Sequence, residues 1–580
     1  MALATEIHCI GAIRIRLFGQ IHDLQALRQL PSAPGEGAET AAVPELVRLL
    51  ARGWVRWGRG SDGQEFARRL IGDHAVIVQD GETGDTCLIR NAVGTRSLFY
   101  RLDGTVLTAG FSVAELRASQ AGPCTPDMDW AVRYLFGVSS SADRTAFREI
   151  HRVPPGCLLI ARSGQAPAIR RYHEWRDDEP VARRRDDRWV EAYRAALDEA
   201  VRCRIPAEGL FGCENSGGVD SASIACLLGR ALDDPGARMH GFSFMLQPQE
   251  PRHIWLTARA AGIVQNTVFT QPATGPASDA ELQSLIDPMG YPPEYPAGAP
   301  FFRISRAARH LGIRTMFSGF GGDEVGTNPG VLERFALLDR GDHRNLLSVM
   351  PGAWPVAALR WLKLTTVGRR SPDSHPGLAA NAQLNWDMRF VREPVLETLD
   401  VRSAMIEQAR YEAPYRRTND FILKFHLARD HNISNRTETF SVAGGAQGLE
   451  YHWPLLDQRV IQQYLSSPGI EKLGPGFEGR YLHRRAVDDV VPRAVNWKPG
   501  KDMGGGAAPM TPAQAAAQKE ILGRHVASLH PALQDVIDGR RLTEMLAQLD
   551  NAQTPMRQFD RKFQSLRMLN LWLHDGHLPA

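Results

Sequence analysis

A chain of 580 residues, 43 % hydrophobic and 23 % charged, has the make-up of a folded protein with more than one core. Its formal net charge of +3 is too small for this length to signal nucleic acid or an anionic membrane as partner. Seven cysteines, at 9, 87, 124, 157, 203, 213 and 226, include no C-x-x-C pair, which argues against a zinc site or disulfide frame and for reduced, buried thiols. There is neither a run of about 18 apolar residues nor a signal-peptide pattern, so a cytoplasmic location is expected.

Residues 1–180 read as short strands with helices between them. Ile7–Phe18 alternates apolar and polar residues as a half-buried strand does. Further strands are predicted at His74–Gln79, Thr86–Arg90, Ser97–Tyr100 and Thr105–Ala109, with Asp80-Gly81 and Asp103-Gly104 as turns. Helices fit Pro44–Trp54, Gln64–Leu70, Val113–Ser119 and Asp129–Phe136. The pattern is that of a layered α+β domain, with Cys9 expected in its core. Asp177–Arg188 is dense in mixed charge and contains Pro180, so it reads as a solvated linker to a second domain, 190–580.

That second domain is organised around Phe211-Gly212-Cys213-Glu214-Asn215-Ser216-Gly217-Gly218-Val219-Asp220-Ser221. A buried strand breaks into Ser-Gly-Gly and then a helix. Missing Cβ atoms let backbone N–H groups close around an anion, and the helix dipole points the same way. Ser216 and Ser221 add hydroxyls, and Asp220 suits magnesium beside phosphates. The spacing is not G-x-x-x-x-G-K-[ST], which excludes a Walker-type site. Further on come an apolar strand, Met239–Leu246, that carries Phe244, and a helix at Ile254–Ala261. A last strand, Ile313–Phe317, feeds Ser318-Gly319-Phe320-Gly321-Gly322-Asp323-Glu324. The alternation predicts a doubly wound parallel α/β sheet with ligand at its C-terminal strand ends. Two glycine turns there would hold one nucleotide, with Asp220 and Asp323 on its magnesium.

Ser-Gly-Gly-x-Asp-Ser resembles the PP-loop of the ATP pyrophosphatases, which split ATP between the α and β phosphates and pass AMP to an acceptor. Arg69–Ala75, Arg90–Tyr100 and Val153–Gly156 resemble the glutaminase-like, Ntn-hydrolase-type domain of the asparagine synthetase family. The two turns, Glu450–Asp457 and Trp497–Met503 resemble the synthetase domain that this family shares with β-lactam synthetase; Thr327–Thr418 aligns poorly. The resemblance implies ATP and Mg2+ as cofactors, an acyl-adenylate intermediate, and amine attack. It places ATP on Ser216, Gly217, Gly218, Asp220, Ser221, Phe244, Ser318, Gly319, Gly321 and Lys501, and the metal on Asp220 and Asp323. It makes Lys501, Glu450 and Asp323 the catalytic residues, with Lys498 the weaker lysine.

Two departures narrow the substrate. Glutamine-using members carry a cysteine directly after the initiator methionine; Ala2 stands there, so the first domain is expected to be glutaminase-inactive. Phe320 stands where asparagine synthetases have an acid and β-lactam synthetase has a tyrosine that works with a glutamate. Asn215 replaces a usual apolar residue, without a reason visible in the sequence. The profile is similar to the macrolactam synthetases of lasso peptide biosynthesis, which adenylate an Asp or Glu side chain of a precursor peptide for attack by its N-terminal amine. That resemblance implies a bacterial enzyme with a precursor peptide, a leader-peptide protease and a leader-binding protein as partners, and neither nucleic acid nor membrane. Tyr291–Pro296 is expected to shape a peptide cavity, and His426, His431 and Glu438 are candidate proton acceptors. An amidotransferase acting on a small acid and a degenerate peptide-binding scaffold are the alternatives; the oligomeric state stays open.

Overall fold

The computed structural model describes residues 6–37, 43–104, 106–119, 122, 124–137, 141–182, 184–245, 250–270, 277–295, 299–367, 390–399, 415–428, 431–498, 512–548 and 556–574. The stretch expected as one strand from Ile7 is a hairpin: β1 (His8–Ile10) pairs antiparallel with β2 (Ile13–Ile21). Gly11 turns the chain at φ +57°, and a Cβ there would meet the Pro34 carbonyl at 2.6 Å. The short turn preserves the two-residue period, so the alternation alone did not reveal the break. Cys9 lies on the exposed side of this edge strand, not in the core, while Ile10 points inward.

The strands β3 (Gly72–Asp80), β4 (Asp85–Arg90), β5 (Phe99–Asp103), β6 (Val106–Gly110), β7 (Ile150–Arg152), β8 (Cys157–Ala161) and β9 (Ala168–Arg171) follow. They form a six-stranded antiparallel sheet, β1-β2-β3-β4-β8-β9, and a three-stranded one, β6-β5-β7. Val76 and Val78 of β3 pack into one core with Trp54 and Phe66, while Ala75 and Ile77 face a second core continuous with the C-terminal half. Burial on both faces gives β3 its run Ala-Val-Ile-Val rather than strict alternation.

The C-terminal half contributes β10 (Phe211–Glu214), β11 (Met239–Met245), β12 (Gln265–Thr270), β13 (Thr315–Phe317) and β14 (Glu450–His452), all parallel, in the order β12-β11-β10-β13-β14. The strand order reverses between β10 and β13, and the crevice at such a switch point is where open α/β sheets bind ligands. Both glycine turns leave from these two strands. Among the described residues no helix is long and apolar enough to cross a membrane.

The charged stretch after residue 176 is a strap, not a solvated linker. Glu179, its side chain 1 % exposed, accepts from Lys472 Nζ at 3.2 Å, Arg340 at 2.9 Å and the Gly469 N–H at 3.2 Å. Asp177 pairs with Arg417 and accepts from Asn419. Composition could not separate acids aimed at water from acids aimed at a buried lysine.

Arginines tie the two halves together. Arg204 lies between Asp73 (2.8 Å) and Asp457 (2.7 Å), and all three are buried. Arg90 and Arg152 both reach Glu438, which also accepts from the Tyr291 hydroxyl at 2.6 Å. Removing one member of such a buried pair costs about 3–5 kcal/mol, because the partner is left charged and dry.

Candidate active site

The first turn is knitted by its own polar groups. The Ser216 N–H donates to Ser221 Oγ at 3.1 Å, the two hydroxyls lie 2.9 Å apart, and the Gly218 N–H donates to Ser216 Oγ at 3.3 Å. Gly217 needs to be glycine: its φ is +72°, and a Cβ would sit 2.9 Å from His253 Cβ. Helix Val219–Arg230 begins at Gly218 with no side-chain cap, which leaves its N-terminal amides to an outside acceptor.

Asn215, unexplained in the sequence, is fully buried and holds this turn to its neighbours. Its Nδ2 donates to the Ile254 carbonyl at 3.0 Å and to Asn266 Oδ1 at 3.4 Å, and its Oδ1 accepts from the Gly217 N–H at 3.4 Å. Its own carbonyl accepts from Ser243 Oγ at 2.6 Å.

The second turn presses on the first. A Cβ on Gly319 would lie 2.6 Å from the Ser221 nitrogen, and one on Gly322 2.7 Å from Asp220 Cγ. Ser318 Oγ donates to Glu214 Oε2 at 2.5 Å and accepts from the Phe320 N–H at 3.2 Å. Burial pushes Glu214 upward, with Ser318 and Arg436 pulling back. Burial likewise raises Glu324. Gly326, at the exit of the turn, accepts from the Tyr193 hydroxyl, which also meets His483 Nδ1 at 3.1 Å.

Asp220 and Asp323 do come together. Arg480 contacts both: its Nε is 3.5 Å from Asp220 Oδ1, and it ion-pairs Asp323. Asp220 also accepts from Thr327 Oγ1 at 2.5 Å. The two carboxylates therefore face one point at which a cation is already held. Hard oxygen donors of this kind suit Mg2+, which takes few protein ligands and keeps phosphate and water for the rest. Among the described residues no group of three or more His, Cys, Asp or Glu side chains could hold a metal, so the donor set fits a nucleotide-borne ion and not a closed protein cage. Arg480 was missed in the sequence. It adopts φ +57° at the start of helix Tyr481–Ala486, and Gly479 before it was the only local hint.

Phe244 lies on β11 at the same sheet end, half-buried and opposite Phe269, with ring centroids 6.4 Å apart. Glu450 is not brought to the turns. It opens β14, in register with Thr315 at the start of β13, at the far end of the strands, and it pairs there with Arg96. Burial works to raise it, but His452 and Arg96 hold it below the usual carboxylate range. Both carboxylate oxygens of Glu438 are taken up by Arg90, Arg152 and Tyr291, and Tyr291 is itself fully buried. His426 packs edge-on against the stacked rings of Phe421 and Phe425, and His431 is the N-cap residue of helix Asn432–Ala446 at φ +51°. Lys501 and Pro296 lie outside the described residues. The Lys498 carbonyl accepts from Arg484 at 3.3 Å.

Comparison with known proteins follows this division. Residues 11–173 match a glutamine amidotransferase domain family, and residues 192–574 match asparagine synthase. A protein provisionally named glutamine-hydrolyzing asparagine synthetase from Mycobacterium tuberculosis is 24 % identical over 83 % of this chain and 73 % of its own. Amidase chyE of Penicillium rubens is 31 % identical over 28 % of this chain, and amidase chry2 of Gibberella zeae is 28 % identical over 29 %. The chain spans about a quarter of the length of these two amidases (24 % and 25 %). A glutamine phosphoribosylpyrophosphate amidotransferase from B. subtilis aligns over 53 % of this chain and 70 % of its own, at 12 % identity and a TM-score of 0.20. With residues 192–574 matched, the chain belongs to the asparagine synthase family.

Proposed function

We propose that the chain is an ATP-dependent, AMP-forming amide ligase that closes a macrolactam in a precursor peptide. The observation that carries this reading is the contact of the two glycine turns at the switch point, with Asp220 and Asp323 turned to one cation. In the proposed reaction an oxygen of an Asp or Glu side chain attacks the α-phosphorus of ATP and pyrophosphate leaves. The N-terminal amine then attacks the acyl carbon, AMP leaves, and the amine gives up its proton. Magnesium, when bound, neutralises charge on the departing pyrophosphate. The amides at Gly218 and the Ser216 and Ser221 hydroxyls receive the phosphates, with Lys501 as a further phosphate contact. Asp220 and Asp323, which Arg480 contacts here, would hold the ion. Holding amine and adenylate together is worth up to about 7–11 kcal/mol against the bimolecular reaction.

Phe320 favours a peptide over free aspartate as acyl donor. A phenyl ring neither hydrogen-bonds an α-ammonium group nor relays a proton, and the half-buried Tyr295 beside helix Asn432–Ala446 widens the aromatic wall. The precursor peptide, a leader-peptide protease and a leader-binding protein are the partners this reading requires. The test supplies Mg-ATP with synthetic peptides that carry a free N-terminus and an internal Asp or Glu, and in parallel aspartate with ammonium. The expected result is peptide-dependent AMP and a product lighter by one water. Asparagine as product would replace this reading with a small-acid amidotransferase.

A further inference from the structure

Arg436 stands apart from the other arginines near the crevice. Arg90, Arg96, Arg152, Arg204 and Arg480 each bond a carboxylate. Arg436 is half-buried on helix Asn432–Ala446, and its guanidinium lies 4.0 Å from the centroid of Phe320, 5.0 Å from Tyr295 and 5.6 Å from Phe440. Among the described residues it forms no ion pair, although its charge is felt by Glu214 and Glu324. Aromatic faces hold a guanidinium by its plane and leave the N–H edge available as a planar fork.

We propose that Arg436, seated on Phe320, is the subsite that receives the carboxylate of the acyl donor before it attacks ATP. This rests on the ligase reading above and names the group by which that site takes its substrate. A carboxylate suits the fork better than a phosphate chain does. It is planar and singly charged and accepts two parallel N–H bonds. The position follows from the fold: Phe320 lies within the second turn, between Gly319, which touches the first turn, and Gly321. A carboxylate on Arg436 is thereby held beside the nucleotide cradle and apart from the Arg480 cation point.

The test uses the full-length wild-type protein, so no variant has to fold. Arginines are labelled with phenylglyoxal, and modification at Arg436 is followed by peptide mass spectrometry with glutarate, glutaramide or ATP as probe. Saturating glutarate should slow labelling at Arg436 about tenfold, as site occupancy dictates, while glutaramide and ATP leave it unchanged. Labelling unaffected by glutarate overturns the proposal, and so does protection by ATP alone, which would make Arg436 a phosphate contact. The footprint needs no turnover: protection in a chain that never yields AMP sinks the ligase reading and keeps the subsite. AMP formation with Arg436 unprotected does the reverse.

Discussion

Arg96 donates to Glu450 at 3.2 Å across the junction of the two halves, from a guanidinium 1 % exposed. The same group donates to Ser441 Oγ and the Tyr451 carbonyl. Both residues come from the stretches that carry the family likeness, so this pair helps to build the junction, while Leu456 of the same stretch packs on the second turn at Gly321. Glu450→Gln keeps a hydrogen-bond acceptor for Arg96, and AMP formation should stay within about threefold of wild type. Arg96→Met strands Glu450 and two further acceptors and should cost about 3–5 kcal/mol in thermal or urea unfolding. Loss of AMP formation in Glu450→Gln at unchanged stability would show that Glu450 acts in the chemistry after all.

Gly319→Ala puts a methyl 2.6 Å from the Ser221 backbone nitrogen, where no side chain can swing aside. The turns must part, and AMP formation should fall at least about a hundredfold, near 3 kcal/mol in the barrier. Gly445→Ala is the control: nothing lies within 4 Å of its added Cβ, and activity should hold. Equal rates for the two variants would contradict the abutting-turn geometry.

Asn215→Leu removes a donor to the Ile254 carbonyl and an acceptor for the Gly217 N–H. Leaving buried polar groups unpaired costs about 1–3 kcal/mol, so the melting temperature should fall and ATP should bind more weakly. A stabilised variant with unchanged ATP affinity would mean that Asn215 does not hold the first turn in place.

Acid should loosen the fold in two stages. Burial holds the imidazoles of His452 and His483 at about 4, against about 6.5 in the unfolded chain. Between those values the unfolded state binds more protons, so stability is lost as pH falls from about 6.5 to 4, by about 3 kcal/mol per histidine, and neither contributes above that window. Asp457 is held at about 2; burial works upward, but Arg204 and Arg459 outweigh it. Its contribution is lost only as pH falls from about 4 toward 2. Urea unfolding across this range checks both stages, and His483→Gln should flatten the first. A stability independent of pH between about 7 and 4 contradicts the account.

The legible parts of the site were those whose cause is local. Ser216–Ser221 and Ser318–Asp323 announce themselves because glycines at positive φ beside an acid and hydroxyls have few other uses. The strands β3 and β4 showed in apolar runs bounded by turn residues. What stayed hidden depends on distant partners. Arg480 lies 157 positions from Asp323 and Arg436 lies 116 from Phe320; no spacing rule links them. Glu438 looked like a base because its two arginines come from the other half of the chain. β7 to β9 are only three to five residues long, so period-two alternation never developed.

The most direct measurement of acyl-adenylate formation follows oxygen. A substrate peptide labelled with 18O in its Asp or Glu side chain is incubated with Mg-ATP, and the AMP is weighed. One 18O atom in AMP, absent with Asp220→Asn, is the result predicted. Unlabelled AMP, or ADP and phosphate in its place, would contradict adenylation at the paired glycine turns.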